Sequence, residues 1–392
     1  MRSAKSNKIE QAEIYVAPTG NRRAVLVEIT ADNGVTGIGE AGVAYGVGSH
    51  AGAEMLRGMI ECHVLGRNPA QIGTIWNDIY DLSFWTRNGA TISYAALSAI
   101  EQALWDIKGK VLGASVSDLM GGQMWERLPV YANGWWTGCD TPDEFARAGV
   151  ATVARGFSGL KFYPLGLADP VTVVRHPTRR RLEASLIPMV CDRVVALREA
   201  VGPDVEIMLD FGGGLTTDQV LRICRRIAHL DVLFIEEPVD PSCLEALAKV
   251  ASSTSISLAA GERCYGRPGF HRLLQTGAVD IIQPDVCNTG GMMEARTIAA
   301  MAEVYNARVA PHNYGSTLAT AVTVQLAACI PNFMVLEFFP DYNKEPGHLE
   351  VLDQPLVPQV RDGYMPVPTT PGLGVTLNHA ILAPYLHARC RA

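Results

Sequence analysis

Hydrophobic and polar positions alternate at the start of the chain and then change to helical spacing. The segments Ile9 to Val16 and Arg23 to Ile29 have the period of two that is typical of strands, and Asn33-Gly34 predicts a hairpin turn into a third strand. From Ser49 to about Gly121, apolar residues recur at the spacing of helices that pack against a core. We therefore predict an α+β domain over residues 1–128.

After this domain, short apolar runs alternate with amphipathic segments. Eight runs follow one another, and each except the last precedes a helical pattern: VYANGWW, GLKFYP, IMLDF, LFIEEP, SLAAGE, DIIQPD, RVAPHN and VLEFFP. This alternation predicts an α/β fold with a (β/α)8-type barrel over residues 129–340, in a modified (β/α)7β form because no final helix is evident. We expect residues 341–392 to return to the first domain and complete an α+β cap.

Three successive barrel strands end in acidic residues at equal spacing. Asp210, Glu236 and Glu262 are separated by 26 residues each, about the length of one strand–helix–strand unit. Carboxylates at the ends of buried strands need compensating positive charge, although a single such acid can also be a helix N-cap. Three hard oxygen donors favour Mg²⁺, with Mn²⁺ as the alternative, over zinc. We therefore predict a metal site.

Other polar residues also fall at the predicted strand ends. Side chains at the carboxyl ends of barrel strands face one active-site opening. Besides the three acids, these ends include Trp135 or Trp136, Lys161 with Tyr163, Glu237, Asp285, His312 and Glu337. A barrel with only a structural role has no reason to collect ionisable groups there, so the pattern indicates an enzyme.

Composition and charge exclude several other classes of protein. The 392 residues carry a net charge of -7 and no long basic run, which argues against a nucleic-acid partner. The GxGxxG pattern at Gly37, Gly39 and Gly42 lies in the predicted hairpin rather than between a strand and a helix, so we predict no dinucleotide cofactor. The N-terminus lacks the apolar run of a signal peptide, and the nine cysteines form no CxxC pair. We expect a cytoplasmic protein with no membrane contact.

Taken together, these motifs resemble the enolase superfamily. The resemblance is carried by the acids Asp210, Glu236 and Glu262, by SAIEQALWDIKGK before the barrel, by GLKFYP early in it, and by QPD and PHN late in it. The pair His312 and Asp285 resembles the mandelate racemase subgroup, which includes many acid-sugar dehydratases. The resemblance implies that the three acids bind one Mg²⁺, which holds the substrate carboxylate and stabilises the enediolate formed when the α-proton leaves.

The resemblance also implies roles for the remaining residues. His312 is the expected base and Asp285 orients it. Much of the subgroup has a Lys-x-Lys site where this chain has Lys161 and then Tyr163. Because a tyrosine with a pKa near 10 is a poor base, this departure favours elimination over racemisation, and Tyr163 either transfers a proton or only binds substrate. Glu337 is expected to hydrogen-bond the substrate carboxylate in its protonated form.

These expectations define three functional hypotheses. The first is a Mg²⁺-dependent hydro-lyase that converts an aldonate or aldarate, with a hexarate such as galactarate as the narrower choice, into a 2-keto-3-deoxy acid. The second is a racemase, epimerase or lactone cycloisomerase that uses the same enediolate, and the third is a non-catalytic barrel. The resemblance implies a homo-oligomer with a small sugar acid as its ligand. The resemblance implies that the cap selects the substrate, so the candidate contacts are the loops near Pro18 to Arg23 and Tyr45 to His50, together with Trp85 and Arg87. In these loops Arg22, Arg23 or His50 is the candidate partner of a distal carboxylate, and His176 with Arg179 to Arg181 is a candidate lid or a mobile loop.

Overall fold

Strands and helices alternate through most of the chain after three initial strands. The computed structural model describes residues 8–87, 89–169, 174–175 and 185–392. In these ranges the strands are β1 (Ile9–Thr19), β2 (Arg22–Ala31), β3 (Thr36–Ala41), β4 (Arg127–Ala132), β5 (Gly159–Phe162), β6 (Leu167–Asp169), β7 (Val174–Arg175), β8 (Glu206–Asp210), β9 (Val232–Glu236), β10 (Leu258–Ala260), β11 (Ile281–Ile282), β12 (Arg308–Val309), β13 (Leu336–Phe338), β14 (Tyr364–Pro366) and β15 (Leu386–Arg391). The α-helices are α1 (Ser49–His63), α2 (Ile72–Leu82), α3 (Thr91–Leu112), α4 (Val116–Leu119), α5 (Pro142–Val153), α6 (Leu186–Val201), α7 (Thr217–Ile227), α8 (Leu244–Ala251), α9 (Gly266–Gln275), α10 (Met292–Val304), α11 (Thr317–Ala327) and α12 (His379–Leu382).

An antiparallel sheet built from distant parts of the chain forms the cap. Its strand order is β15-β1-β2-β3, so the tail returns to the first domain as the sequence predicts. The hairpin predicted at Asn33-Gly34 is confirmed by the antiparallel pairing of β2 with β3. Gly37 and Gly39 allow α3 to approach β3 closely, since an added Cβ would lie 2.0 Å from Ala103 O and 2.1 Å from Ala99 O respectively. The first two glycines of the GxGxxG pattern therefore serve helix–sheet packing.

Eight parallel strands form the barrel, in the order β12-β11-β10-β9-β8-β5-β4-β13. A parallel bridge between Val309 and Phe333 closes the ring, and Met334 N donates a hydrogen bond to Val309 O at 2.8 Å. Helices α5 to α11 connect the eight strands, which is the predicted (β/α)7β arrangement. None of the helices in the described parts of the chain is both long and apolar enough to cross a lipid bilayer.

A layer of side chains from around the ring fills the barrel interior below the strand ends. Tyr131, Met208, Phe234, Ala259, Ile281, Ala310 and Val335 form this separate buried cluster. The barrel is thus a packed core rather than a pore, and polar chemistry is confined to the carboxyl ends of its strands.

Helix α3 joins the cap to the barrel through buried polar contacts. Glu101 accepts hydrogen bonds from the backbone N–H groups of Met292 and Met293, at 2.7 and 2.9 Å, where α10 begins. Glu40 does the same at the start of α11, where Ser316 N and Ala319 N donate to it at 2.9 and 3.0 Å. Carboxylates stabilise helix N-termini, so these contacts attach α3 and β3 of the cap to helices α10 and α11 of the barrel.

Candidate active site

A cavity of about 780 Å³ lies at the carboxyl ends of the barrel strands, beneath the cap. Asp210 and Glu236 are the last residues of β8 and β9, and they are register partners in the sheet. Six of the eight predicted site residues line the cavity: Asp210, Glu236, Glu262, Asp285, His312 and Glu337. The sequence rule for strand ends therefore brings most of the predicted groups into one space.

His312 and Asp285 form a hydrogen-bonded pair on one side of the cavity. His312 Nδ1 lies 2.8 Å from Asp285 Oδ2, and Cys287 N fixes the same carboxylate by donating to Oδ1 at 2.8 Å. The other ring nitrogen, Nε2, lies 3.3 Å from Glu262 Oε2. Burial alone would lower the pKa of His312, but Glu262, Asp285 and Glu337 outweigh it and raise the pKa to about 10.

Lys161 is buried behind the cavity between two carboxylates that line it. Its Nζ lies 2.5 Å from Glu236 Oε2 and 2.7 Å from Glu337 Oε1. Burial opposes the charge on Lys161, but Glu236 and Glu337 more than offset this effect and hold its pKa well above the ordinary value. Lys161 is therefore a fixed cation in this state of the protein.

Glu337 is ionised in the structure without substrate, so the expectation that it is protonated beside a substrate carboxylate stays a prediction. Burial tends to raise its pKa, but Lys161 and His312 outweigh burial, so the pKa is lowered and the group is a carboxylate. Asn133 Nδ2 donates to Oε1 at 2.9 Å, and Asn313 N donates to Oε2 at 2.9 Å. The expectation of a protonated Glu337 took the substrate carboxylate into account but not Lys161, which is the nearest charge without substrate.

The three strand-end acids have the chemistry of a divalent cation site. Burial raises the pKa of Glu236 to about 8 and Asp210, Glu337 and Glu262 add to it, even though Lys161 acts in the opposite direction. This cluster thus still lacks positive charge. In the described ranges no three His, Cys, Asp or Glu side chains enclose a metal position as they stand, since Glu236 contacts Lys161 and Glu262 contacts His312. The residues fit Mg²⁺ in donor type and strand position, and their side chains would have to turn to bind it.

Arg263 provides positive charge to two acidic residues, Glu262 and Glu237. Its Nη2 lies 3.0 Å from Glu262 Oε1 and 3.3 Å from Glu237 Oε2. Glu237 is buried, and burial raises its pKa to about 8. Glu237 directly follows Glu236 in the chain, and it does not line the cavity.

Tyr163 is placed differently from the other predicted residues. It is 2% exposed, belongs to the buried apolar cluster, and does not line the cavity. Its ring centroid lies 6.1 Å from that of Trp136. Lys161 also lies outside the lining, but it contacts two lining residues, whereas Tyr163 packs in the core.

Three amides near the site were not singled out from the sequence. Gln283 Nε2 donates to Glu236 Oε2 at 2.5 Å, and Asn133 and Asn313 hold Glu337. Each belongs to a segment already recognised at a strand end, namely QPD, VYANGWW and PHN. Attention to amides as well as ionisable residues at the strand ends would have found them.

The two cap loops predicted to contact substrate reach the cavity through Gly20, Asn21 and Tyr45, whereas Arg22, Arg23 and His50 do not line it. Arg22 is only 1% exposed and forms an ion pair with Glu345, Arg23 is exposed elsewhere, and His50 lies near His387. The expectation that Arg22, Arg23 or His50 faces a distal carboxylate has no support in this geometry. His176 and Arg179 to Arg181 fall outside the described residues.

A closed barrel with a cap, a carboxylate cluster and a His–Asp pair at one mouth defines a capped-barrel enzyme. The chain belongs to the enolase superfamily, in its mandelate racemase subgroup. Residues 4–121 match the mandelate racemase / muconate lactonizing enzyme N-terminal domain, and residues 144–381 match the enolase C-terminal domain-like family.

Several known proteins are similar to this chain. A D-gluconate dehydratase from Thermoproteus tenax is 36% identical over 82% of the chain, which spans 62% of that relative's length. A D-galactonate dehydratase from Ralstonia pickettii is 32% identical over 96% of the chain and 93% of its own length. A D-galactarolactone cycloisomerase from Agrobacterium fabrum is 32% identical over 93% of the chain and 92% of its own length. A crystal structure from Mesorhizobium loti, assigned provisionally as a dehydratase, has a TM-score of 0.93 and 46% identity and covers 98% of this chain and 100% of its own.

Proposed function

We propose that this chain is a Mg²⁺-dependent acid-sugar dehydratase that converts an aldonate or aldarate into a 2-keto-3-deoxy acid. One observation carries the proposal: the His312–Asp285 pair opens onto the same cavity as Asp210, Glu236 and Glu262. The names of the relatives support the same reaction class, because two of them are named D-gluconate dehydratase and D-galactonate dehydratase. Mn²⁺ is the alternative metal.

His312 removes the α-proton in this mechanism. Without a metal, Glu262 and its neighbours keep His312 protonated, and a cation bound by Glu262 would offset that carboxylate and favour the neutral ring. Asp285 accepts a hydrogen bond from Nδ1–H, so the lone pair of this neutral ring would lie on Nε2, the nitrogen on the Glu262 side. Mg²⁺ held by Asp210, Glu236 and Glu262 would supply positive charge for the substrate carboxylate and for the enediolate that forms as the proton leaves. The fixed charge of Lys161 contributes to the same balance.

Elimination completes the reaction. The electron pair from the broken C–H bond forms the C=C bond, the C–O bond to the β-hydroxyl breaks, and the hydroxyl leaves as water after it takes a proton. The resulting enol then tautomerises to the 2-keto-3-deoxy acid. After it takes the α-proton, His312 is an acid on the cavity wall, whereas Tyr163 packs in the core and does not line the cavity. We therefore assign both proton transfers to His312.

A cycloisomerase is the second candidate, because one relative of similar length carries that name. It would form the same enediolate but expel a lactone oxygen instead of water. A racemase is less well supported, since it needs a second proton carrier and Lys161 is held by two carboxylates.

The test is a screen of aldonates, aldarates and their lactones with Mg²⁺, in which semicarbazide detects 2-keto products. We expect His312→Asn to abolish turnover while Mg²⁺ binding is retained. His271→Asn, at an exposed histidine outside the cavity, is the control and should keep full activity. Full turnover by His312→Asn would refute its role as base. Lactone conversion without keto acid from open-chain substrates would favour the cycloisomerase.

A further inference from the structure

The cavity has a second wall, which is reached from His312 through aromatic rings. The ring centroids of His312 and Tyr314 are 6.4 Å apart, and those of Tyr314 and Tyr342 are 5.8 Å apart. Beyond them, the turn between β1 and β2 meets the segment after β13. We call this surface the distal wall and define it by Gly20, Asn21, Tyr314, Tyr342 and Glu345, all of which line the cavity.

A buried arginine holds the one carboxylate of the distal wall. Arg22 Nη2 lies 3.0 Å from Glu345 Oε2, and the guanidinium carbon lies 3.9 Å from the centroid of the Tyr342 ring. The same Nη2 lies 3.3 Å from His348 Nδ1. Burial and the nearby Arg22 lower the pKa of His348 to about 3, so this ring is neutral and can accept the hydrogen bond. Glu345 therefore neutralises Arg22, and no cation is left for a ligand at this position.

Gly20 provides the space that the Glu345 carboxylate occupies. A Cβ at Gly20 would lie 1.9 Å from Glu345 Oε2, and the residue has a φ of +67°. The Gly20 N–H donates to Pro346 O at 2.9 Å, which ties the cap turn to the segment that carries Glu345. The side chain of Glu345 nevertheless remains 28% exposed. The carboxylate is thus held in place and still accessible from the cavity.

Charge on the cavity walls is distributed unevenly. Among the described lining residues, the only side chains that can be cationic are Arg263 and His312. Both contact Glu262, so both belong to the strand-end cluster. The distal wall offers a carboxylate, an amide and tyrosines. A second carboxylate on the substrate would face Glu345 in a cavity where like charges are poorly screened.

We propose that Glu345 selects the far end of the substrate, accepting hydrogen bonds from the terminal hydroxyl groups of an aldonate and excluding the terminal carboxylate of an aldarate. This rests on the proposed function and narrows it to monocarboxylic sugar acids. It replaces the expectation of a hexarate, for which no described cation faces the distal wall. Arg22 and Gly20 act as positioning residues for Glu345.

The test compares matched pairs, D-gluconate with D-glucarate and D-galactonate with galactarate, by calorimetric binding in Mg²⁺ and by turnover. We expect wild type to favour the aldonate of at least one pair about 100-fold, and Glu345→Gln to reduce that preference at least about 10-fold. Glu345→Asp, which keeps the charge, should retain most of it. Glu350→Gln, at an exposed position in the same segment, is the matched control and should leave the preference unchanged.

Measuring both binding and turnover distinguishes failure of the Glu345 proposal from failure of the dehydratase proposal. If wild type binds aldarates as well as aldonates, or if Glu345→Gln folds and leaves the preference unchanged, Glu345 does not select the substrate even when the dehydratase proposal holds. If no ligand yields a keto acid while the binding preference shifts as expected, the dehydratase proposal fails and the role of Glu345 stands. Thermal melting checks that each variant is folded. If Glu345→Gln does not fold, the preference of wild type for aldonates over aldarates decides whether the proposal holds.

Discussion

Asp285→Asn is expected to leave the site intact and yet remove the base. The Asp285 carboxylate accepts one hydrogen bond from Cys287 N and pairs with His312 Nδ1 through its other oxygen. If the amide oxygen of asparagine keeps the bond from Cys287 N, its NH₂ group faces Nδ1 and donates to it. The imidazole must then carry its proton on Nε2, the atom that should accept the α-proton.

The size of the effect follows from this tautomer change. Holding histidine in the wrong tautomer costs roughly 10³- to 10⁴-fold in kcat, which corresponds to about 4 to 5.5 kcal/mol of transition-state stabilisation. The alternative amide orientation restores the tautomer but sets two donors against each other at Cys287 N, at a cost of about 1–3 kcal/mol. In either orientation the asparagine fails at one of two contacts, whereas the carboxylate accepts hydrogen bonds from both Cys287 N and His312 Nδ1.

The assay is keto-acid formation under saturating substrate, together with exchange of the α-proton in deuterated water. The rates of keto-acid formation and of α-proton exchange should fall together, while the melting temperature and the Mg²⁺ affinity change little. Asp362→Asn, at an exposed residue with a φ of +50°, is the control. If Asp285→Asn retains more than about a tenth of wild-type kcat, orientation by Asp285 is not required and the reasoning from tautomers is refuted.

Two further predictions concern stability. Lys161→Met leaves Glu236 and Glu337 buried without their shared cation, so we expect a loss of about 3–5 kcal/mol in urea unfolding with chelator present, and a loss below about 1 kcal/mol would contradict the ion-pair argument. His348 has a folded pKa of about 3, lower than its unfolded value, so the stability it contributes is present above the unfolded pKa and is lost as pH falls toward the folded pKa. Between pH 7 and pH 5 this loss is about 2 kcal/mol, and His348→Gln should remove it from the pH dependence of unfolding. An identical pH dependence in both proteins would show that His348 does not titrate on unfolding.

Local patterns predicted the barrel because each strand–helix unit obeys its own periodicity. The same patterns located Asp210 and Glu236, which end regular strands. The position of the Tyr163 side chain could not be predicted from these patterns. Alternation along a strand places Tyr163 on the same face as Lys161, but β5 ends at Phe162, so the rule no longer applies and the side chain packs against Trp136.

Long-range partners could not be predicted in this way. The sequence makes Arg22 a candidate substrate contact from the cap. In the structure it forms an ion pair with Glu345, which lies 323 residues away in sequence. Lys161 and Glu337 are also far apart in the chain, and only the closed ring brings Nζ and Oε1 to a distance of 2.7 Å. Side-chain pairing of this kind depends on the tertiary fold, and it determines which charges remain available to a ligand.

The pairing of β1 with β15 has a consequence for synthesis of the protein. Strand β1 pairs with β2 on one side, but its other edge is covered only by Leu386–Arg391, which follow the whole barrel in the chain. During translation of the whole barrel, the nascent cap therefore presents an open strand edge, the kind of surface that pairs with other chains.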